Sequence, residues 1–252
     1  DSVISNYFNN KANIHLPDKK VYSANLIEKL RYGENPHQFS GYYSKNFKTN
    51  LKQIQGKQLS YNNYNDIFSA LTISKSFSKN KGVVIIKHAN PCGVSINSDK
   101  MKCYKSALAC DPVSAYGGIV CCNFKINSKI ALELSKIFLE VIIANGFEKK
   151  AFKVLKKKKN IRLIDTKNLS TSNDYRINSI DNAVLIQSND KVNLKSENFK
   201  IVSKIRPTKD QMNNLIFAFN VCKHVKSNAI VLAHQQAIVG IGSGQPSRLN
   251  SC

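Results

Sequence analysis

Residues 82–93 read GVVIIKHANPCG, and the first five of them decide the fold. Val83, Val84, Ile85 and Ile86 follow Gly82 with no polar residue between them, so both faces of the segment are apolar. A short β-branched run that does not alternate is a strand covered on both sides, as inside an α/β sheet. It runs into a polar loop that carries Pro91 and Gly93. Upstream, Ile67, Ala70, Leu71, Ile73 and Phe77 recur at helical spacing, which predicts a helix over 66–77 with Asp66 as its N-terminal charge. Downstream, the pattern predicts helix 99–110, strand 118–124, helix 128–140, strand 141–144, helix 147–158 and strand 161–164. Alternation of this kind implies a layered α/β fold with helices packed on a mixed sheet.

On either side the pattern is looser. Residues 1–23 read as a connector, polar at its start and turned at Pro17-Asp18. Leu26 to Gln38 is a basic-aromatic stretch broken by Gly33 and Pro36, and Gln55-Gly56-Lys57 is a loop. Leu169 to Asn198 reads as polar loop with one strand at 183–187. Helix 209–225, strands 229–233 and 237–240, and a polar loop from Gly242 to Arg248 complete the chain.

A chain of 252 residues can bury a core without disulfides, as one large α/β domain or two smaller lobes. Its net charge is +22, from 38 basic and 16 acidic residues. That excess opens the reading of a basic nucleic-acid-binding module. The lysines, however, are spread through Asn- and Ile-rich segments instead of gathering on one face. The dense run Lys156 to Lys159 follows a helix, where cations suit the C-terminal dipole. No nucleic-acid partner is therefore expected, although such a field attracts small anions, nucleotide phosphates among them. Seven cysteines without a C-x-x-C pair, two of them adjacent at 121 and 122, point to reduced cytoplasmic thiols and no catalytic metal. No apolar run approaches the ~20 residues of a membrane span, so no membrane partner is expected. The first ten residues lack signal-peptide order. The chain starts without Met and stops at Cys252 within a motif, as expected of a piece of a longer polypeptide.

Three segments could carry chemistry. Lys87-His88 follows the buried strand, and an ammonium beside an imidazole lowers the imidazole's proton affinity, which suits a neutral base. A His that merely braces the loop is the competing reading. Cys92 lies in the same loop, but no activating partner for a thiol nucleophile is identifiable. Arg31-Tyr32-Gly33 combines a bidentate phosphate donor with a backbone that an anion can approach. Asn228, Gln245 and Arg248 bracket a polar loop suited to a heterocycle. Gly240-Ile241-Gly242-Ser243-Gly244 lacks the third glycine of a dinucleotide loop at the required offset.

Seven collinear segments change the weight of these readings: LRYGENPHQ (30–38), GKQLSYNNYND (56–66), IIKHANPCGV (85–94), DPVSAYGGIV (111–120), EVIIA (140–144), VKSNAIVLA (225–233) and GIGSGQPSR (240–248). In this order the chain resembles the bacterial bifunctional enzymes that join aminoimidazole carboxamide ribonucleotide formyltransferase to inosine monophosphate cyclohydrolase. The resemblance implies a transferase half of two cytidine-deaminase-like lobes and a homodimer with shared active sites. Residues 1–23 would be the connector from a cyclohydrolase domain, 24–198 the first lobe and 199–252 the opening of a second. It implies the ribonucleotide and 10-formyltetrahydrofolate as substrates, with no catalytic metal. Lys87 and His88 match the catalytic pair. Arg31, Tyr32, Asn63, Gly117, Asn228 and Arg248 match nucleotide-site positions, and Glu140 stands where the family carries an acidic residue. Pro246 departs from the family's Met, Tyr116 from its Phe, and Asp181-Asn182 from Gly-Gly. A deaminase is disfavoured because the His/Cys-x-x-Cys zinc set is missing, and the intact Lys87-His88 segment argues against a degenerate paralogue.

Overall fold

The computed structural model describes residues 1–45, 51–167, 169 and 175–252. By backbone packing the chain forms two units, residues 1–50 and 51–252. In the first, α1 (Ser2–Lys11) occupies the expected connector, and none of its residues is buried. β1 (Asn25–Lys29) and β2 (Gly41–Ser44) pair antiparallel. This hairpin was not expected from the stretch around Gly33 and Pro36. Its turn holds itself: Gly33 N–H donates to Gln38 O at 2.9 Å, and Ser40 Oγ donates to Tyr32 O at 2.6 Å.

The second unit is built on an eight-stranded mixed sheet. Its strands are β3 (Lys52–Gln55), β4 (Gly82–Lys87), β5 (Asn90–Ile96), β6 (Gly118–Cys122), β7 (Leu139–Ala144), β8 (Arg162–Asp165), β11 (Ile230–His234) and β12 (Ala237–Gly242), in the order β11-β12-β5-β4-β6-β7-β8-β3. β6, β7 and β8 run parallel, and every other pairing is antiparallel. The helices are α2 (Tyr61–Ser74), α3 (Lys100–Cys110), α4 (Ser128–Leu134), α5 (Lys149–Lys156), α6 (Lys209–Cys222) and α7 (Arg248–Ser251).

The apolar run at 83–86 is a central strand with all four side chains fully buried. Fully burying a Val or Ile side chain contributes about 1.5–3 kcal/mol, so these four residues alone outweigh any local preference. Alternate residues serve opposite faces. Val83 and Ile85 join Val120, Cys122, Ile142 and Leu163 beneath α3, α4 and α5, which supply Tyr104, Leu134 and Leu155. α2 packs against β4, β6 and β7 with Ile67, Ala70, Leu71 and Ile73 buried. The layered α/β expectation holds. β11 and β12, in the segment expected to open a second lobe, extend this same sheet, with Ala237 opposite Ser95 of β5. β9 (Tyr175–Ile180) and β10 (Ala183–Ser188) form a separate hairpin, so the single strand expected at 183–187 has a partner. The loop expected from Leu169 falls partly on 170–174, outside the described residues.

Three further expectations need correction. α2 begins at Tyr61, not Asp66, because Ser60 and Asn63 form a reciprocal cap: Ser60 Oγ accepts from Asn63 N–H, and Asn63 Oδ1 accepts from Ser60 N–H, both at 3.1 Å. Helix 128–140 stops at Leu134, and the apolar residues that follow enter β7 beside β6, which puts Glu140 on a strand. The segment 87–93 is not a loop. Only His88 and Ala89 turn, and Asn90 onward forms β5, with Pro91 and Cys92 accommodated where the β4–β5 register slips.

Candidate active site

Lys87 ends β4, and across the ladder lie the starts of β6, β7 and β8: Gly118 pairs with Leu139, and Val141 with Arg162. Lys87-His88 follows the carboxyl end of β4, as the sequence indicates, but the parallel strands present their amino ends there. The same edge receives the capped start of α2, since β3 leads through residues 56–60 to Ser60. Lys87, Glu140 and Asn63 are thus gathered from three elements, with Gly117 from the turn that enters β6.

Their contacts define a polar surface. Lys87 Nζ donates to Tyr116 O at 3.0 Å. Gly117 has φ +67°, and a Cβ there would stand 3.1 Å from Lys87 Nζ, so only glycine combines this backbone with this approach of the ammonium. Phe138 backs the same turn: its carbonyl accepts from Gly117 N–H at 2.8 Å, and its ring packs 5.4 Å from that of Tyr116. Asn63 is buried and donates through Nδ2 to Glu140 Oε2 at 2.8 Å. Arg162 reaches the same carboxylate at 3.7 Å while its Nε donates to Gln58 O at 3.1 Å. Glu140 is held on one side and keeps acceptor capacity facing out.

His88 is exposed, and the turn it shares with Ala89 is unusual. Both residues have positive φ, 52° and 60°. A two-residue hairpin of this kind favours Asn-Gly, and a side chain in the left-handed region costs roughly 1–2 kcal/mol per residue. Asp66 Oδ1 accepts from Ala89 N–H at 2.6 Å, and Asn90 Nδ2 donates to His88 O at 3.1 Å. Burial pushes the Asp66 carboxyl above its usual range, with Glu140 adding to the rise, while the Ala89 N–H, His88 and Lys87 draw it down. Cys92 is no nucleophile here, because burial chiefly pushes its thiol up to about 12.

The matched chemistry along this edge is accompanied by a match over the whole chain: residues 1–252 fit the AICARFT/IMPCHase bienzyme family. The chain belongs to that family. It is 43% identical over 253 residues to the bifunctional purine biosynthesis protein PurH of Thermoanaerobacter sp. (strain X514), covering 99% of this chain and 49% of that protein. The PurH of Rhodospirillum rubrum is 43% identical over 257 residues, covering 100% of this chain and 49% of that protein. That of Bacillus cytotoxicus is 42% identical over 258 residues, with 100% and 50% covered. The chain spans about half the length of these relatives. Membership over its full length leaves the basic nucleic-acid-binding module without support.

The remaining positions matched to the AICARFT/IMPCHase family fall in two places. Arg31 and Tyr32 belong to the 1–50 unit, where the Arg31 guanidinium lies 5.6 Å from the Tyr32 ring centre. Asn228 and Arg248 flank the loop beyond β12. That strand leaves Ala237 antiparallel to β5, so its far end heads toward the edge that carries the His88 turn. Asn228 Nδ2 donates to Gln245 O and Pro246 O, each at 3.1 Å, so its amide hydrogens hold the loop that contains Pro246. Arg248 is exposed on the first turn of α7, and among the described residues no hydrogen bond or ion pair joins it to Lys87 or His88. A cavity of about 460 Å³ opens beside this loop, lined by Ile230, Leu232, Ser243 and Gln245 among others. At the Lys87–His88 edge, His88 is exposed and Lys87 half-buried.

Two residues at the edge were not identified as site residues from the sequence. Arg162 gives no local signal, because its partners are 22 and 104 positions away. Asp66 was read as a helix-start charge, although it closes the GKQLSYNNYND segment. Among the described residues no group of three or more His, Cys, Asp or Glu side chains could hold a metal, and no helix is long and apolar enough to cross a membrane.

Proposed function

We propose that this chain is part of an aminoimidazole carboxamide ribonucleotide formyltransferase, whose complete parent also carries inosine monophosphate cyclohydrolase. The observation that carries the reading is the sheet edge where a fixed ammonium, an exposed imidazole and a braced carboxylate meet, within a chain whose own length is matched throughout by about half of a PurH protein. In the reaction the 5-amino group of the ribonucleotide attacks the formyl carbon of 10-formyltetrahydrofolate. The C–N bond to the new amine forms, the bond to N10 breaks, and N10 takes up a proton. His88 receives the proton leaving the attacking amine, and Lys87 stabilises the oxygen of the tetrahedral intermediate. The bond from Lys87 Nζ to Tyr116 O restricts where that ammonium can reach. Folate is a co-substrate, not a resident group.

The amine is conjugated to a carboxamide and is a weak nucleophile, so orientation carries much of the acceleration. Asn63, Glu140 and Gly117 line the nucleotide side, and Asn228 and Arg248 orient the carboxamide. In the 1–50 unit, Arg31 and Tyr32 are the pair suited to a phosphate. The parent works as a cytoplasmic homodimer whose second transferase lobe begins in residues 199–252. Calorimetry with the ribonucleotide and a formyl-transfer assay on the complete parent test the reading. Saturable nucleotide binding and folate-dependent transfer are expected. A parent that binds no nucleotide and transfers no formyl group refutes it.

A further inference from the structure

We propose that Asp66 is the positioning residue of His88: its carboxylate ties the His88–Ala89 turn to helix α2 and so fixes where the imidazole stands. The inference rests on the formyltransferase reading and adds a residue to that site. Two facts combine. The turn places two side-chain-bearing residues in the left-handed region, a conformation their own sequence disfavours, so something outside the turn must hold it. The tie is at hand, because Asp66 Oδ1 accepts from Ala89 N–H at 2.6 Å across 23 residues of sequence. A charged acceptor makes this one of the stronger bond types, and its base is rigid: Ile67 and Ala70, beside Asp66 on α2, are fully buried against the sheet. The brace from Asn90 Nδ2 to His88 O lies inside the hairpin and moves with it, so it does not set the hairpin's position. The titratable groups facing Asp66 are Lys87 and His88 from the hairpin and Glu140 from β7. The carboxylate therefore sits between a cationic turn and an anionic strand, with its hydrogen bond directed to the turn.

The test compares Asp66→Ala, Asp66→Asn and the double variant Asp66→Ala/Ala89→Gly in the complete parent. The readouts are kcat, the nucleotide KM, and amide exchange at Ala89. A displacement of the imidazole by about 1 Å is enough for roughly a hundredfold loss. Asp66→Ala should therefore lose about that factor in kcat, with KM changed less than about threefold, and Ala89 should exchange faster. Asp66→Asn keeps an oxygen that accepts the same N–H, and should stay within about tenfold of the parent with Ala89 still protected. Glycine at 89 removes the strain at that position and should restore part of the kcat lost in Asp66→Ala, which a general folding defect would not allow. Unchanged kcat in Asp66→Ala overturns the inference. So does an Asp66→Asn variant as inactive as Asp66→Ala while Ala89 remains protected, because charge and not the tie would then be what matters. Should Asp66→Ala fail to fold, Asp66→Asn decides alone. A parent without any formyl transfer sinks the functional reading itself, whereas an active parent indifferent to Asp66 sinks only this inference.

Discussion

Replacing Asn63 tests how the site edge is held, because this one buried amide works in two directions. In Asn63→Ala, Ser60 N–H loses its acceptor and Glu140 loses the donor at 2.8 Å. Half a capping box contributes about 1 kcal/mol, and a hydrogen bond to a charged group about 1.5–3 kcal/mol. The Glu140 side chain is 42% exposed, so water replaces part of the second, and a net loss of about 2–3 kcal/mol is expected. At roughly 2–4 °C per kcal/mol for a domain of this size, the melting temperature should fall by about 5–10 °C. Asn63→Asp keeps the acceptor for Ser60 but sets a second carboxylate against Glu140. Two like charges about 4 Å apart repel by roughly 4 kcal/mol at an effective dielectric of 20, and Arg162 offsets only part of it. At pH 7 the Asp variant should therefore melt below the Ala variant. As pH falls through the carboxylate range, one of the two acids takes up a proton and can donate to the other, so the extra loss disappears and the order reverses. The assay is calorimetric or circular-dichroism melting of both variants and the parent sequence, with differences taken at each pH. An Asp variant as stable as the parent at pH 7, or one whose deficit persists unchanged at pH 4, would refute the pairing of Asn63 with Glu140.

Other perturbations reach different parts of the molecule. Gly93→Ala puts a Cβ inside the radius of the Ala107 carbonyl oxygen, so α3 must shift from β5, and a loss of roughly 1–3 kcal/mol should show in urea denaturation. His224 is mostly buried with Nε2 3.0 Å from Ser76 Oγ, and burial chiefly pushes it down to about 4. Because its folded value lies below the unfolded one, the unfolded chain binds more protons between about pH 6.5 and 4. Stability should therefore fall with pH across that window, by up to roughly 3 kcal/mol, and His224→Gln should flatten the slope in melts followed against pH. His88→Ala in the complete parent should lower turnover by orders of magnitude with nucleotide affinity largely intact. Calorimetry paired with the transfer assay separates the two quantities, and near-normal turnover would remove His88 from the mechanism.

The elements that were legible are those whose signal is local. Val83–Ile86, Ile119–Cys122 and Val141–Ala144 are unbroken apolar runs, and all of these residues are buried strand. The helical spacing of Ile67, Ala70, Leu71 and Ile73 marks the face that α2 buries. Element ends were less legible. Asn63 completes a cap that usually carries Glu or Gln at that position, so Ser60 gave a weak start signal and Asp66 a misleading one. Ile137 to Leu139 could continue a helix or open a strand, because a short apolar run has no periodicity of its own. The hairpin at 87–90 had no Asn-Gly or Asp-Gly signature to mark it.

Composition, apolar periodicity and the seven motifs, read along the chain, were sufficient for the α/β class and the family, and they named Lys87, His88, Asn63, Gly117 and Glu140 as candidates that the fold brings to one edge. Those properties depend on neighbours within about a dozen positions or on the order of motifs, and both survive in one dimension. Tertiary structure alone decided that the amino ends of β6, β7 and β8 share an edge with the end of β4, that Arg162 braces Glu140, and that Asp66 holds the Ala89 amide. The two side-chain contacts join groups 22 and 23 positions apart, set by strand order and helix packing, and no local pattern encodes them.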